Sequence, residues 1–200
     1  MLRRPRERGF TVVELLVGIG LIAALMFIAI PSFTAWLQST QIRTAADAFQ
    51  NGLQLARAEA VRRNAPVIFQ LTSTLDNTCV LSTAGPNWVV SLDSAAGSCG
   101  ALPTADNPVP TAPRIVQTRS SNDGSRNAVV AANVSSITFN GLGRPLLAAT
   151  MQVDIRNPTG GACSPTGQMR CMRLLVSASG QVRSCDPALP ITTPPTPGAC

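Results

Sequence analysis

A carboxylate, Glu14, sits in a stretch from Phe10 to Ile30 that is otherwise interrupted only by Thr11. An acidic side chain inside a membrane-length helix costs about 2.5 to 3.5 kcal/mol on insertion scales, so it needs a partner of opposite charge. Gly9 precedes Phe10, and a cut between them would free an α-amino group four positions from Glu14. The same amine on a neighbouring chain is the expected partner when such helices pack side by side. Six Cys follow at 79, 99, 163, 171, 185 and 200, none of them in a C-x-x-C arrangement, which points to disulfides in an oxidising compartment and away from zinc.

There is no His, which excludes imidazole general bases, the Ser-His-Asp and Cys-His constellations and imidazole metal sites. The acids at Asp76, Asp93, Asp106, Asp123, Asp154 and Asp186 are scattered without the spacing of a catalytic pair. The expectation is a protein without catalytic residues, metal or cofactor. All 16 basic residues are Arg. Arg3, Arg4, Arg6 and Arg8 crowd the first eight positions, and losing that segment with Glu7 would halve the net charge of +6. Between Arg144 and Arg183 stand Arg144, Arg156, Arg170, Arg173 and Arg183 against Asp154 alone, a local excess that suits phosphate as well as a solvated face or a protein neighbour.

The elements that must position these residues can be read from periodicity. At about 1.5 Å per residue, Phe10 to Ile30 spans roughly 30 Å, one hydrocarbon thickness. The basic cluster ahead of it predicts a cytoplasmic N-terminus and a translocated remainder, in agreement with where the Cys lie. A cleaved secretory signal fits less well, because the run is long, holds a carboxylate and lacks an A-x-A site near Pro31. Past Pro31, Ile42, Ala45, Ala46, Phe49, Leu53, Ala56 and Ala60 recur at helical steps, predicting an amphipathic continuation over 32–65 that stops before Pro66. Pro31 is expected to kink or locally melt the rod.

From 66 to 186, short Val-, Ile-, Leu- and Phe-rich runs alternate with turn residues, predicting an antiparallel β domain. The expected strands are Val67 to Leu71, Cys79 to Ser82, Trp88 to Leu92, Arg114 to Thr118, Ser136 to Asn140, Met151 to Ile155, Met172 to Ser177 and Gln181 to Ser184. Long loops are expected over Asp93 to Pro113 and Asn157 to Arg170, and a Pro-rich tail over 187–200. Six Cys allow fifteen pairings. One reading staples Cys79 to Cys99, joins Cys171 to Cys185 across a turn at Ala178 and Ser179, and leaves Cys163 and Cys200 to tie loop to tail.

Arg8-Gly9-Phe10-Thr11-Val12-Val13-Glu14-Leu15-Leu16 resembles the class III signal of type IV prepilins and pseudopilins. That resemblance implies a leader, residues 1–9, removed by a prepilin peptidase after Gly9, N-methylation of Phe10, and assembly roles for Glu14 and Pro31. A narrower resemblance, to the GspH/FimT branch, is carried by Leu53-Gln54-Leu55-Ala56-Arg57-Ala58-Glu59-Ala60, by Ile137-Thr138-Phe139-Asn140-Gly141-Leu142-Gly143-Arg144, and by Val176-Ser177-Ala178-Ser179-Gly180-Gln181-Val182-Arg183-Ser184-Cys185. It implies an α+β fold, a long N-terminal helix packed on an antiparallel β-sandwich.

The resemblance further implies a minor pilin, anchored in the bacterial inner membrane with its C-terminal domain periplasmic, then built with other major and minor pilins into the tip or initiation complex of a type IV pilus. The alternatives are a minor pseudopilin of type II secretion and a pilus-associated DNA receptor. DNA-uptake members of the branch carry G-R-x-R in the final hairpin. Here it reads Gly180-Gln181-Val182-Arg183, so only Arg183 carries over, with Arg144, Arg170 and Arg173 as further candidates for weak, sequence-indifferent contact with DNA.

Overall fold

The structure, a computed structural model, describes residues 10–107, 112–120, 123–146, 150–192 and 196–200, with residues 28–32 described by their backbone alone. The expected leader, and with it Gly9, lies outside the described residues. The chain divides into two units, Met1–Leu37 and Gln38–Cys200.

The first unit holds the start of α1 (Val12–Arg63), which runs without a break through Pro31. The expected local melting does not occur, since the missing proline N–H removes only one bond from a ladder held on either side. Among the described residues no helix is long and apolar enough to cross a membrane. The apolar side chains that are described run as far as Phe27, with the sequence continuing apolar to Ile30.

In the second unit the seven residues of the predicted stripe, Ile42, Ala45, Ala46, Phe49, Leu53, Ala56 and Ala60, are all buried. Four of them are Ala, which lets the helix lie close to its partners. Gly52 takes this furthest, because a Cβ there would press on the rings of Phe69 and Trp88 at 2.8 and 2.9 Å. The helix ends in a Schellman motif: Asn64 adopts the left-handed conformation at φ 49°, while Ala65 N–H reaches the Ala60 carbonyl and Asn64 N–H that of Val61. Pro66 follows directly.

Eight strands form two antiparallel sheets. The first orders β3 (Ile115–Arg119), β2 (Asn87–Ser91), β1 (Val67–Thr72) and β5 (Ser136–Phe139). The second orders β4 (Val129–Ala132), β6 (Met151–Arg156), β7 (Met172–Val176) and β8 (Val182–Cys185). In the first, Val67 opposes Phe139, Phe69 opposes Ile137 and Val90, and Leu71 opposes Trp88, so one face presents a continuous apolar surface. In the second, Met151 opposes Val176, Val153 opposes Leu174 and Ile155 opposes Val130. Both faces join the helical stripe in one core, an α+β arrangement of long helix and β-sandwich as expected. The opposite face of β2 and β3 is also covered: Val89 and Ile115 pack with Ala95 and the Cys79–Cys99 disulfide in a second small core.

Three expectations are corrected. Cys79 to Ser82 is not a strand and pairs with the sheet through the single bridge between Leu81 and Thr72, because β2 and β5 already occupy the two sides of β1. Val129–Ala132, not expected as a strand, becomes β4 by pairing with β6, a contact its two Ala and flanking Asn residues do not advertise. The third correction concerns the cysteines. Cys79–Cys99 stands, but the other bonds are Cys163–Cys171 and Cys185–Cys200.

Register explains that last difference. The turn between β7 and β8 carries three residues, Ala178, Ser179 and the left-handed Gly180, and places Cys185 opposite Arg173, two residues short of Cys171. The loop after β6 folds back on itself, with Ser164 N–H donating to the Met169 carbonyl and Gly167 N–H to that of Cys163, and so delivers Cys163 to Cys171. The tail returns to β8 through a bridge between Asp186 and Ala199, delivering Cys200 to Cys185.

Candidate functional site

The start of α1 is built from Thr11. Its carbonyl accepts from Leu15 N–H at 3.1 Å and its hydroxyl from Glu14 N–H at 3.3 Å, so Thr11 is the N-cap and Glu14 the third helical residue. T-x-x-E is the capping-box sequence, a signal that reading Glu14 only as a buried charge overlooks. Its carboxylate therefore lies in the first turn, where the helix dipole favours negative charge, one turn from the Phe10 nitrogen. Phe10 is 84% exposed, and Glu14 is exposed too.

The side chains that follow have no cover within the chain. Val12, Val13, Leu15, Leu16, Val17, Ile19, Leu21, Ile22, Leu25, Met26 and Phe27 are each more than half exposed and point to every side of the helix. Burying one such side chain is worth about 1.5 to 3 kcal/mol, and soluble monomers rarely expose contiguous apolar patches beyond a few hundred Å². This surface requires lipid or other helices around it. The backbone of Pro31 belongs to the same helix.

The three segments that carry the narrower resemblance converge on one junction in the globular unit. Arg57 Nε donates to the Gly143 carbonyl at 3.2 Å. Gly180, at φ +80°, fits against that same carbonyl oxygen so closely that a Cβ would overlap it. Gly141 lies against Asn64 at the helix end. Helix, β5 turn and β7–β8 turn are thereby fixed to one another through the Arg57 side chain and through close contacts that leave no room for a Cβ at Gly141 or Gly180.

The candidate arginines are not gathered in one place. Arg173 and Arg183 share the outward face of the second sheet, but Arg173 is paired with Asp154 at 2.6 Å and Arg183 donates to the Cys200 carbonyl at 3.0 Å. Arg170 lines a separate cleft with Arg43 and Asp186, and Arg144 belongs to the β5 turn. Other arginines brace the fold. Arg62 and Arg63 both bind Glu59 and Asp106, holding the 101–107 loop on the helix end. The hydrogen bonds from Arg62 keep both carboxyls below their usual range. Arg114 grips Asp93 in two-pronged fashion and holds its carboxyl down to about 2.

Sequence comparison agrees with this geometry. The family model described as type II transport protein GspH matches residues 45–180, and the prokaryotic N-terminal methylation motif matches residues 4–30. No curated protein matches the chain. Two crystal structures of the type IV minor pilin FimU of Pseudomonas aeruginosa strain PAO1 are similar to it. One has 18% identity and a TM-score of 0.49, covering 74% of this chain and 90% of that one. The other has 14% identity and a TM-score of 0.44, covering 71% and 90%. With its family match running from Ala45 in the helix stripe through β7 to Gly180, and a methylation motif over residues 4–30, the chain belongs to the GspH family of pilin-like proteins.

Proposed function

We propose that this protein is a minor type IV pilin that acts as a structural subunit and not as an enzyme. A prepilin peptidase cuts it between Gly9 and Phe10 and methylates Phe10. It waits in the inner membrane as a single-pass protein, N-terminus cytoplasmic and C-terminal domain periplasmic. It then enters the tip-proximal, initiating complex of a pilus together with other major and minor pilins. The observation that carries this reading is the helix from Val12 to Phe27, apolar on all sides and exposed, with Glu14 in its first turn. In a bundle of such helices the carboxylate meets the methylated amine of a neighbour, and the apolar surface exchanges lipid for protein.

One feature favours a pilus over the type II secretion pseudopilus. Three disulfides stabilise the domain, which suits a fibre standing outside the cell. Each outer strand is also touched by a covering segment: β3 by Thr104, β4 by Thr83, β5 by Leu146 and β8 by the returning tail. These contacts guard the sheet edges against strand pairing in a filament of either kind. DNA is left out of the proposed role, because Arg173 and Arg183 are each already engaged in part, by Asp154 and by the Cys200 carbonyl, and Arg170 lines a different cleft.

Deleting the gene and scoring twitching motility beside type II secretion tests the assignment. Loss of twitching with secretion intact supports it, whereas the reverse identifies a pseudopilin. Mass spectrometry of the protein from sheared filaments should find N-methylated Phe10, and any other N-terminus overturns the processing step.

A further inference from the structure

We infer that Arg43 and Arg170 form a receiving site for a carboxylate, the acidic side chain of a neighbouring subunit that inserts into the cleft between α1 and the returning tail. The inference rests on the filament role proposed above.

The two arginines are far apart in the chain, yet they line one cleft, Arg43 from α1 and Arg170 from the loop just ahead of β7. Both residues are exposed. Among the described residues neither makes a hydrogen bond or an ion pair, whereas Arg62, Arg63, Arg114 and Arg173 are each matched to a carboxylate. The acids nearby do not serve them. Asp186 lines the same cleft, but its carboxylate accepts from Ala188 N–H at 2.9 Å and pairs with neither arginine. Asp47 stands one turn along the helix from Arg43 in the less favourable order, cation ahead of anion, and makes no ion pair with it.

Size and lining identify the occupant. The cleft holds about 190 Å³, below the roughly 300 Å³ at which pockets for drug-sized ligands begin. It admits one side chain and excludes a nucleic-acid duplex. Met172 and Leu189 lie beside the charges, which suits the methylene stem of a Glu or Asp, whereas a free anion would gain nothing from them. A guanidinium fork matches the two oxygens of a carboxylate, and two forks against the single charge of Asp186 leave one positive charge to be neutralised. The tail wall is fixed by the Cys185–Cys200 bond and by Asp186 N–H donating to the Gly198 carbonyl at 2.7 Å, so the cleft is formed before anything enters it.

The chain contains no Lys, so Arg43→Lys or Arg170→Lys introduces its only side-chain amine. Sheared filaments carrying either variant are treated with a carbodiimide, which joins an amine to a carboxylate in contact with it, and the products are mapped by mass spectrometry. Arg126→Lys is the control, an exposed arginine outside the cleft that is likewise unpaired among the described residues. Both cleft variants should cross-link to the same acidic residue of another subunit, about tenfold above the control, because a carboxylate held against the amine reacts at high effective concentration. Yields no higher than the control, or a product confined to Asp186 or Asp47 of the same chain, overturn the inference. Position 43 is on the helix and position 170 in a loop, so a defect in one variant leaves the other to decide. Absence of the unaltered protein from sheared filaments defeats the pilin assignment itself, and the site with it.

Discussion

Replacing Gly180 with Ala tests whether the junction between Arg57, Gly143 and Gly180 holds the domain together. Two costs arise. Gly180 has φ +80°, a left-handed conformation that costs an L-residue about 1 to 2 kcal/mol. The new Cβ would also overlap the Gly143 carbonyl, which accepts from Arg57, and relieving such overpacking costs about 1 to 3 kcal/mol. Lower entropy of the unfolded chain returns only about 0.4 to 1 kcal/mol. The net loss is roughly 2 to 4 kcal/mol, or about 5 to 15 °C in Tm for a domain of this size. Thermal and urea unfolding of the oxidised domain, residues 39–200, measures it. Gly97→Ala is the control, because Gly97 shares the left-handed φ at +77° but has nothing within 4 Å of the added carbon. It should lose about 1 kcal/mol, the left-handed cost less the returned chain entropy. Equal effects at the two positions would refute the steric part of the argument, and an unchanged or raised Tm for Gly180→Ala would refute all of it.

Glu14→Ala should leave membrane insertion intact while lowering recovery in sheared filaments, since insertion loses a costly carboxylate and assembly loses a charge partner; normal incorporation contradicts that role. Replacing both Cys185 and Cys200 with Ser opens a bond across a separation of 15 residues, and the expected loss is about 3 kcal/mol in the domain's unfolding free energy. Peptide mapping without reductant should recover the pairs Cys79–Cys99, Cys163–Cys171 and Cys185–Cys200, and a Cys171–Cys185 peptide would reject the register described for β7 and β8. Asp93, its carboxyl held down to about 2 chiefly by the hydrogen bond from Arg114, contributes stability that is present above the ordinary carboxylate range and is lost as pH falls through 2. Asp93→Asn should therefore flatten the fall in Tm between pH 4 and pH 2. The change will be small, because the Asp93 and Arg114 side chains are 31% and 39% exposed.

Much of this protein is local and so legible in the chain. The apolar run after Phe10, the Ile42 to Ala60 stripe and the stop before Pro66 are properties of neighbours in sequence, set by helical periodicity and by a ring that cannot donate a hydrogen bond. The strands at Val67, Trp88, Ile137, Met151 and Leu174 were equally visible, because each is an apolar run bounded by turn residues. The Thr11–Glu14 cap was there to be read as well, being a four-residue pattern.

What periodicity cannot contain is the choice of partner between distant segments. Val129–Ala132 is a strand only because β6 lies beside it, and Cys79 to Ser82 is not one because β1 already has two neighbours. The third residue in the β7–β8 turn moves Cys185 away from Cys171, and the backtracking loop and tail supply the partners actually used. The same holds for the arginines: an excess of positive charge can be counted along the chain, but whether a guanidinium is free depends on the strand beside it, and Asp154 opposes Arg173 only through the register of β6 and β7. Gly143 and Gly180, far apart in the chain, become neighbours only once both sheets close on the helix, and tertiary structure alone decided that two backbones should meet there with no room for a side chain.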